Sequence, residues 1–530
     1  MPNERTQVFV AGGGMTGLSA AMFLAQRGVE VLVVERHPGT SIHPRAIGQH
    51  PRTMELFRVA GITGEVRAAS RGGGGLEVRM GTTVRAVTET INSGNYAGPD
   101  LALASPQPLA TAAQDYLEPI ILDRARQLGA DIRFTTEFLD FKQDANGVTA
   151  RIRDRYDHDK TSTVHADYLI AADGYRSPVR TELGIEMHGP GTLTTSIAVV
   201  FEADLSGIPE LADGRSVIYY LQGGPLTGTF GTATGANRYL WGFEYDPAAG
   251  ESAQDYTPER VTEMIRTVLE DPGVNPKILD ILPWAARAEL ADGYRSDRIL
   301  LAGDAVKVNP PTGGLGGYTA IGDAYDLAWK LAAVLNRKAG PGLLDTYEAE
   351  RRPLAELAIS TSLHHAKQRW LPDLDVAGLP EPVSLIDLTL GFRCRSSAVL
   401  ATDDDPSLVE NPFEPTGRPG FRAPHVVLTG DGTELSTVDL FGSGWVLLSV
   451  DLTGVWMSAV KQVATELGID LTLTGAEFTD PNGDLVAKYG IGTTGASLVR
   501  PDGVVAWRVE TAPAEPANGL RAALTTVLHR

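Results

Sequence analysis

The sequence predicts an α/β fold in three parts: an open sheet flanked by helices, an antiparallel sheet inserted into it, and a smaller C-terminal domain. Three observations predict it. A βαβ unit with a glycine-rich turn opens the chain, short alternating strands fill about 190–285, and a βαβ…ββα order follows residue 420. A chain of 530 residues is too long for one core, so several domains are expected.

Composition bounds the class of protein. A net charge of −20 argues against binding to nucleic acid or to anionic membranes. No apolar run reaches the roughly 18 residues of a membrane-spanning helix, and the N-terminus enters a strand too soon for a signal peptide. Cys394 is the only cysteine, which excludes an internal disulfide and a cysteine-rich metal site, and the histidines show no ligand spacing. We expect a cytoplasmic enzyme without a metal.

The first motif lies in residues 7–36, where a strand meets Gly12-x-Gly14-x-x-Gly17, a helix and a second strand ending at Glu35. Gly12 permits a tight turn, Gly14 lets a pyrophosphate approach the backbone, and Gly17 lets the helix pack on the strand. The helix N-terminus offers free N–H groups to phosphates. Glu35 is placed to accept hydrogen bonds from an adenosine ribose. The motif predicts a dinucleotide site but does not separate NAD from FAD.

Two further motifs follow apolar strands. Residues 167–180, "DYLIAADGYRSPVR", contain Asp173-Gly174, and residues 299–317, "ILLAGDAVKVNPPTGGLGG", contain Gly303-Asp304. The loop after Asp304 carries few bulky side chains and precedes a helix predicted to begin near Tyr318, so its backbone can approach a ligand closely. Together the three motifs resemble the fingerprints of class A flavoprotein aromatic hydroxylases, which have the p-hydroxybenzoate hydroxylase fold.

This resemblance implies FAD as the cofactor. In such enzymes the GD aspartate binds the ribityl chain, the following loop runs beside the isoalloxazine ring, and the next helix points its N-terminus at the flavin. Segments 43–62 and 112–129 match the family's arginine-containing segment and cofactor-facing helix. The residues that the resemblance assigns to FAD are Gly12, Gly14, Gly17, Glu35, Arg36, Arg45, Gln114, Asp173, Gly174, Asp304, Pro311, Gly313, Gly314, Leu315 and Gly316.

Within the family, the chain is most similar to hydroxylases of aromatic polyketide antibiotics. That resemblance implies a monooxygenase that hydroxylates a polycyclic phenolic quinone with O₂ and NADPH, through a flavin C4a-hydroperoxide. The nicotinamide has no second GxGxxG motif in a domain of its own, as the resemblance implies where NADPH binds transiently. Phenol activation needs a nearby group, and Tyr219, Tyr220 and Arg369 are the catalytic candidates. Strand alternation lets only one tyrosine face the pocket. Sheet packing and a surface ion pair remain alternative roles.

Other functions remain open at this stage. The same cofactor supports Baeyer–Villiger oxidation or oxidative rearrangement of a polycyclic quinone, and a flavoprotein that only binds an antibiotic is a third candidate. A halogenase is disfavoured because WxWxIP is missing, and the Asp173 and Asp304 motifs argue against a plain NAD dehydrogenase. Lys307 and Tyr318 stand where relatives often have histidine and asparagine, so the natural substrate stays open. We expect a monomer or a homodimer.

The expected domain division is discontinuous. We assign residues 1–75, 106–188 and 286–400 to an FAD-binding Rossmann-like domain, 76–105 and 189–285 to an antiparallel-sheet substrate domain, and 401–530 to a thioredoxin-like domain. Because the last domain has no CxxC, we expect it to be structural.

Overall fold

The computed structural model describes residues 4–71, 75–91, 100–212, 214–401 and 403–530. The strands are β1 Glu4–Ala11, β2 Val31–Val34, β3 Leu76–Gly81, β4 Val87–Ile91, β5 Asp131–Arg133, β6 Thr136–Asp144, β7 Gly147–Asp154, β8 Thr161–Ala171, β9 Met187–Glu202, β10 Ser216–Leu221, β11 Gly228–Thr232, β12 Arg238–Glu244, β13 Lys277–Ala291, β14 Arg295–Ser296, β15 Ile299–Leu301, β16 Lys307–Val308, β17 Val427–Gly430, β18 Thr433–Ser436, β19 Trp445–Ser449, β20 Leu471–Gly475, β21 Ala496–Val499 and β22 Val505–Val509. The helices are α1 Met15–Gln26, α2 Pro51–Ala60, α3 Thr63–Ala69, α4 Leu101–Ala104, α5 Gln114–Gln127, α6 Pro178–Glu182, α7 Pro209–Ala212, α8 Pro258–Leu269, α9 Leu315–Leu335, α10 Thr346–Arg369, α11 Leu385–Leu390, α12 Val455–Leu467, α13 Asp484–Tyr489 and α14 Pro516–Val527. None of these helices combines the length and apolarity needed to span a membrane.

The first sheet has the order β14-β15-β8-β1-β2-β5, with β7 and β6 extending from β8. Strands β15, β8, β1, β2 and β5 run parallel, and Ala11 of β1 lies level with Ala171 of β8. All four residues of β2 are buried, as expected for a parallel strand covered on both faces. The carboxyl ends of β1, β8 and β15 therefore meet at one edge of the sheet, where open α/β sheets bind ligands.

The second sheet has the order β16-β13-β9-β12-β11-β10-β3-β4 and is antiparallel except for the β10–β3 pair. The predicted strands of 190–285 form its centre, and β3 and β4 extend one edge, as the sequence predicts. One face packs against the apolar side of α8, where Val261, Ile265 and Val268 are fully buried. Ala288 of β13 packs against Ile359 and Leu363 of α10.

The C-terminal sheet has the order β20-β19-β21-β22, with β19 and β20 parallel and the other pairs antiparallel. Helices α12, α13 and α14 complete the βαβαββα order of a thioredoxin-like domain, which confirms that prediction. Buried ion pairs join it to the rest of the chain, among them Arg500 with Glu350 of α10 and Arg422 with Glu55 of α2.

One helix begins earlier than predicted. Helix α9 starts at Leu315, not near Tyr318, so Gly316 and Gly317 form its first turn. Glycine has low helix propensity, which makes the sequence pattern favour a later start. In the structure, a Cβ on Gly317 would lie 3.3 Å from the Cβ of Ala46, so close packing of the helix start leaves little room for a side chain.

Candidate active site

The first glycine-rich turn connects β1 to α1. Gly12 has a φ of 101°, and a Cβ there would overlap the carbonyl oxygen of Ala172 after β8. A Cβ on Gly17 would overlap the carbonyl oxygen of Gly12, so α1 packs directly on its own turn. The Gly13 N–H donates to Glu35 Oε2 at 2.8 Å. The Glu35 carboxylate, directly after β2, thus binds the turn between β1 and α1. The sequence predicts the ribose contact at this same residue.

The second and third motifs contact each other at the same sheet edge. Arg180 donates through Nη1 to the Ala305 carbonyl at 2.8 Å and through Nη2 to the Tyr175 carbonyl at 3.0 Å. Gly303 has a φ of 61°, and a Cβ on it would overlap the Thr16 hydroxyl of α1. The three motifs, far apart in the sequence, therefore form one cleft.

Two aspartates mark this cleft. Burial raises the pKa of Asp173, whose Oδ2 accepts from the Val179 N–H at 3.2 Å, while its buried Oδ1 has no hydrogen-bond partner among the residues that the structure describes. The Asp304 side chain is exposed to solvent. Desolvation by the surrounding protein raises its pKa, and the charges of Lys307 and Arg45 oppose the rise.

Lys307 helps to hold the backbone of the third motif in place. Its buried ammonium pairs with Asp323 of α9, which also accepts from the Gly303 N–H at 3.1 Å and from Arg351 Nε at 2.9 Å. Burial lowers the pKa of Lys307, while the Asp323 carboxylate opposes that shift. A lysine here therefore anchors the Gly303-Asp304 turn to α9 and α10.

The arginine-containing segment lies against the start of α5. The Gln114 N–H donates to the Arg45 carbonyl at 2.8 Å, and Gln114 Nε2 donates to Glu118 Oε1 at 2.6 Å. Glu118 also accepts from the Ser41 N–H at 2.7 Å, and burial raises its pKa. The side chains of Arg36 and Arg45 are exposed. The sequence analysis missed Glu118, although its position four residues after Gln114 places both on one helix face.

The loop between β16 and α9 is held from two sides. His50 Nε2 lies 3.1 Å from the Gly313 carbonyl oxygen, and Trp370 Nε1 donates to Thr312 Oγ1 at 2.8 Å. Gly314, with a φ of 66°, precedes the first turn of α9 and provides no side-chain cap. The neighbouring Asn309 has a buried amide whose nitrogen and oxygen find no hydrogen-bond partner within the described part of the chain. This loop therefore presents backbone donors and an unpaired amide.

Of the two candidate tyrosines, only Tyr220 faces this loop. Arg369 lies 6.0 Å from the centre of its ring, and Gln222 Nε2 donates to the Arg369 carbonyl at 2.6 Å. Burial raises the pKa of Tyr220, opposed by Arg369 and Thr312.

The structure does not support Tyr219 as a catalytic candidate. It points to the opposite face, 6.0 Å from the ring of Phe230 and 5.8 Å from the Arg79 guanidinium, and burial raises its pKa to about 12. Strand alternation places it in the sheet core.

Tyr318 also points away from the loop. Its hydroxyl donates toward the Leu388 and Thr389 carbonyls of α11 at 3.4 and 3.3 Å, and its ring lies 5.7 Å from that of His50. Burial raises its pKa to about 12. The tyrosine thus joins the apolar packing between α9 and α11.

These features fit FAD. Gly14 and Gly314 each begin a helix without a side-chain cap of their own, which suits phosphate and ring-edge acceptors. The unpaired buried atoms of Asp173 and Asn309 are polar groups that await partners. The family model of an FAD binding domain matches residues 5–362, and the model of an aromatic-ring hydroxylase C-terminal domain matches residues 416–530.

The chain belongs to the FAD-dependent aromatic-ring hydroxylases.

Several relatives align with this hydroxylase over its full length. It is 48% identical to aklavinone 12-hydroxylase RdmE from Streptomyces purpurascens, with 100% of both chains covered. It is 39% identical to tetracenomycin A2 monooxygenase-dioxygenase from Streptomyces glaucescens, covering 100% of this chain and 98% of that one. A crystal structure of aklavinone-11 hydroxylase with FAD and aklavinone has a TM-score of 0.93 at 47% identity, with 100% of both chains covered. This hydroxylase is thus an FAD-dependent monooxygenase.

Proposed function

We propose that this hydroxylase adds one atom of O₂ to an aromatic ring of a polycyclic phenolic quinone of polyketide origin, with NADPH as the reductant. The observation that carries the proposal is the pairing of Tyr220 with Arg369 beside the Thr312–Gly314 loop. The support from relatives is that a solved structure of similar fold holds FAD and aklavinone, a tetracyclic polyketide.

The proposed cofactor site follows the cleft. Gly12, Gly14 and Gly17 with α1 would hold the pyrophosphate, and Glu35 and Arg36 the adenosine end. Asp304 would bind the ribityl chain. The rest of the flavin would contact Arg45, Gln114, Asp173, Gly174, Pro311, Gly313, Gly314, Leu315 and Gly316. We likewise propose the domain boundaries given above, with a cofactor domain in three segments.

When bound and reduced, FAD would activate O₂ so that one of its two oxygen atoms can be transferred. The chain's own residues prepare the phenol. The Arg369 positive charge stabilises a phenolate more than a phenol, which lowers the phenol pKa. The buried Tyr220 hydroxyl stays protonated at neutral pH and donates a hydrogen bond that holds the ring in place. The apolar sheet and α10 limit access of water.

The nicotinamide substrate and the assembly state complete the proposal. The GxGxxG motif that joins a strand to a helix, residues 12–17, is assigned to FAD, so NADPH would bind transiently and leave after reduction. We propose a monomer or a homodimer.

The experiment is aerobic turnover of the purified holoenzyme with NADPH and aklavinone, with the products separated by chromatography. We expect one hydroxylated tetracycle formed for each NADPH consumed. A lactone or rearranged skeleton would indicate the alternative oxidation, and NADPH consumption that yields only peroxide would contradict hydroxylation of this substrate class.

A further inference from the structure

Helix α10 carries a histidine that the proposed chemistry does not use. His365 precedes Arg369 by four residues, so both side chains lie on one helix face. His365 Nδ1 lies 3.8 Å from the position that a Cβ would take on Gly313. The ring therefore sits between the catalytic candidate Arg369 and the loop that leads into α9.

The protonation state of His365 follows from its surroundings. The side chain is half-buried, and desolvation lowers its pKa to about 4, with smaller contributions from the charges of Arg369 and His364. At neutral pH the imidazole is therefore uncharged and carries one N–H.

Contacts of the ring decide which nitrogen holds that proton. Nδ1 is shielded from solvent and has no hydrogen-bond partner among the described residues. A proton on Nδ1 would be a buried donor without an acceptor, which is costly. We therefore assign the proton to Nε2, which leaves Nδ1 unprotonated against Gly313.

This arrangement gives the ring one polar function. Because Nδ1 is covered and the ring is only half-buried, Nε2–H is the nitrogen that we assign as its donor. A donor of this kind needs an acceptor oxygen, and a quinone carbonyl, which only accepts, supplies one. Arg369, on the same helix face, would stabilise a phenolate oxygen. The two side chains would then bind two different oxygens of one planar ring system.

We propose that His365 binds the substrate of this hydroxylase by donating a hydrogen bond from Nε2 to a carbonyl oxygen of the aromatic quinone. The proposal rests on the proposed function, because it takes the ligand to be a polycyclic phenolic quinone. His365 thereby helps to fix which ring edge faces the cofactor.

Two substitutions separate hydrogen bonding from packing. His365→Gln keeps an N–H donor near the position of Nε2, and His365→Leu removes it while keeping an apolar side chain. Lys367 is exposed on the same helix, so Lys367→Gln and Lys367→Leu are matched controls for the general effect of each substitution on α10.

The measurement is the Kd of aklavinone for the oxidised holoenzyme, read from the change in flavin absorption, together with the FAD content of each variant. An anthrone analogue of aklavinone, which lacks one quinone carbonyl, is titrated in parallel. Binding is read without turnover, so activity does not enter the result.

We expect His365→Leu to raise the Kd of aklavinone about tenfold, the effect of one lost hydrogen bond, and to abolish the preference for aklavinone over the anthrone. His365→Gln stays within about threefold of the unmodified chain, and the Lys367 variants and all FAD contents are unchanged. An unchanged Kd in His365→Leu would overturn the proposal. Equal weakening in both His365 variants, with the preference for aklavinone retained, would assign His365 to packing and also overturn it.

The two proposals fail in different ways. If the unmodified holoenzyme binds and hydroxylates aklavinone while His365→Leu behaves identically, only the role of His365 is wrong. If the unmodified holoenzyme does not bind aklavinone, both proposals fail for this substrate class.

Discussion

Arg500 of the C-terminal domain and Glu350 of α10 form a fully buried ion pair, with 2.6 Å between Nη1 and Oε1. Lys330 lies 3.0 Å from the other Glu350 oxygen, and Asp502 pairs with Arg500 at 2.5 Å. The positive charges of Arg500 and Lys330 outweigh desolvation and hold the pKa of Glu350 well below its usual range. The thioredoxin-like domain is therefore joined to the cofactor domain by charges that depend on one another.

Breaking this pair is expected to destabilise the enzyme strongly. Glu350→Gln leaves Arg500 buried with a weakened partner, and losing one member of a buried pair costs about 3–5 kcal/mol. Denaturant unfolding of the purified protein measures this cost. Glu356→Gln, at an exposed position of the same helix, is the control and should change stability little. Equal stability of the two variants would mean that the pair does not hold the domains.

Stability should fall on mild acidification because of buried histidines. Desolvation lowers the pKa of His425 to about 4, with the charge of Arg422 adding to the shift and that of Glu55 opposing it. The unfolded chain takes up this proton near pH 6.5, so the free energy of unfolding falls as pH drops from about 6.5 to 4, by about 3 kcal/mol for one such group. Above pH 6.5 the free energy of unfolding does not depend on pH through this group. His50 shifts in the same direction.

The variant His425→Asn tests this assignment. Asparagine can keep the hydrogen bond that His425 Nδ1 makes with Ser436 Oγ at 2.7 Å, but it does not titrate. Unfolding free energies measured between pH 4 and 7 should therefore depend less on pH in His425→Asn. The exposed His158→Asn should keep the unmodified slope. A steep slope retained in His425→Asn would exclude the buried imidazole as its source.

Asp304→Ala should weaken FAD binding. The carboxylate stands at the mouth of the cleft, and loss of one charged hydrogen bond raises Kd roughly tenfold to 100-fold. Titration of the apoprotein with FAD, followed by flavin fluorescence, measures the change. Asp373→Ala, at an exposed acidic position after α10, should bind FAD normally. Unchanged affinity in Asp304→Ala would remove Asp304 from the cofactor site.

Arg369→Met should lower kcat about 100-fold, the scale of assisted proton transfer, because the phenol then ionises without a neighbouring positive charge. Raising the pH should recover part of this loss, because the substrate then ionises unaided. Arg369→Lys keeps the charge and should retain more activity. The diagnostic readout is the pH profile of kcat. A parallel loss at every pH would indicate a structural role instead.

Sequence reasoning reaches this cleft because it is built from short motifs that follow apolar strands. Gly12, Gly303 and Asp173 lie in short motifs after apolar strands, and parallel strands bring their carboxyl ends together. The two-residue periodicity of β10 also predicts that only one of Tyr219 and Tyr220 faces the pocket. Which of the two does so depends on the partner layers, because both strand faces are apolar.

The remaining parts of the site depend on tertiary contacts. His365 and Trp370 are ordinary residues at the end of a helix, and only the folded chain brings them to Gly313 and Thr312. The sequence pattern does not predict the start of α9 at Leu315, because glycine disfavours helix. In the fold, close packing against Ala46 favours glycine at position 317.

The central claim is tested most directly by turnover of aklavinone with NADPH under ¹⁸O₂, with the product analysed by mass spectrometry. The account predicts one heavy oxygen atom bound to a ring carbon of an intact tetracycle. Heavy oxygen in a lactone, or a hydroxylated product that carries oxygen from water, would contradict it.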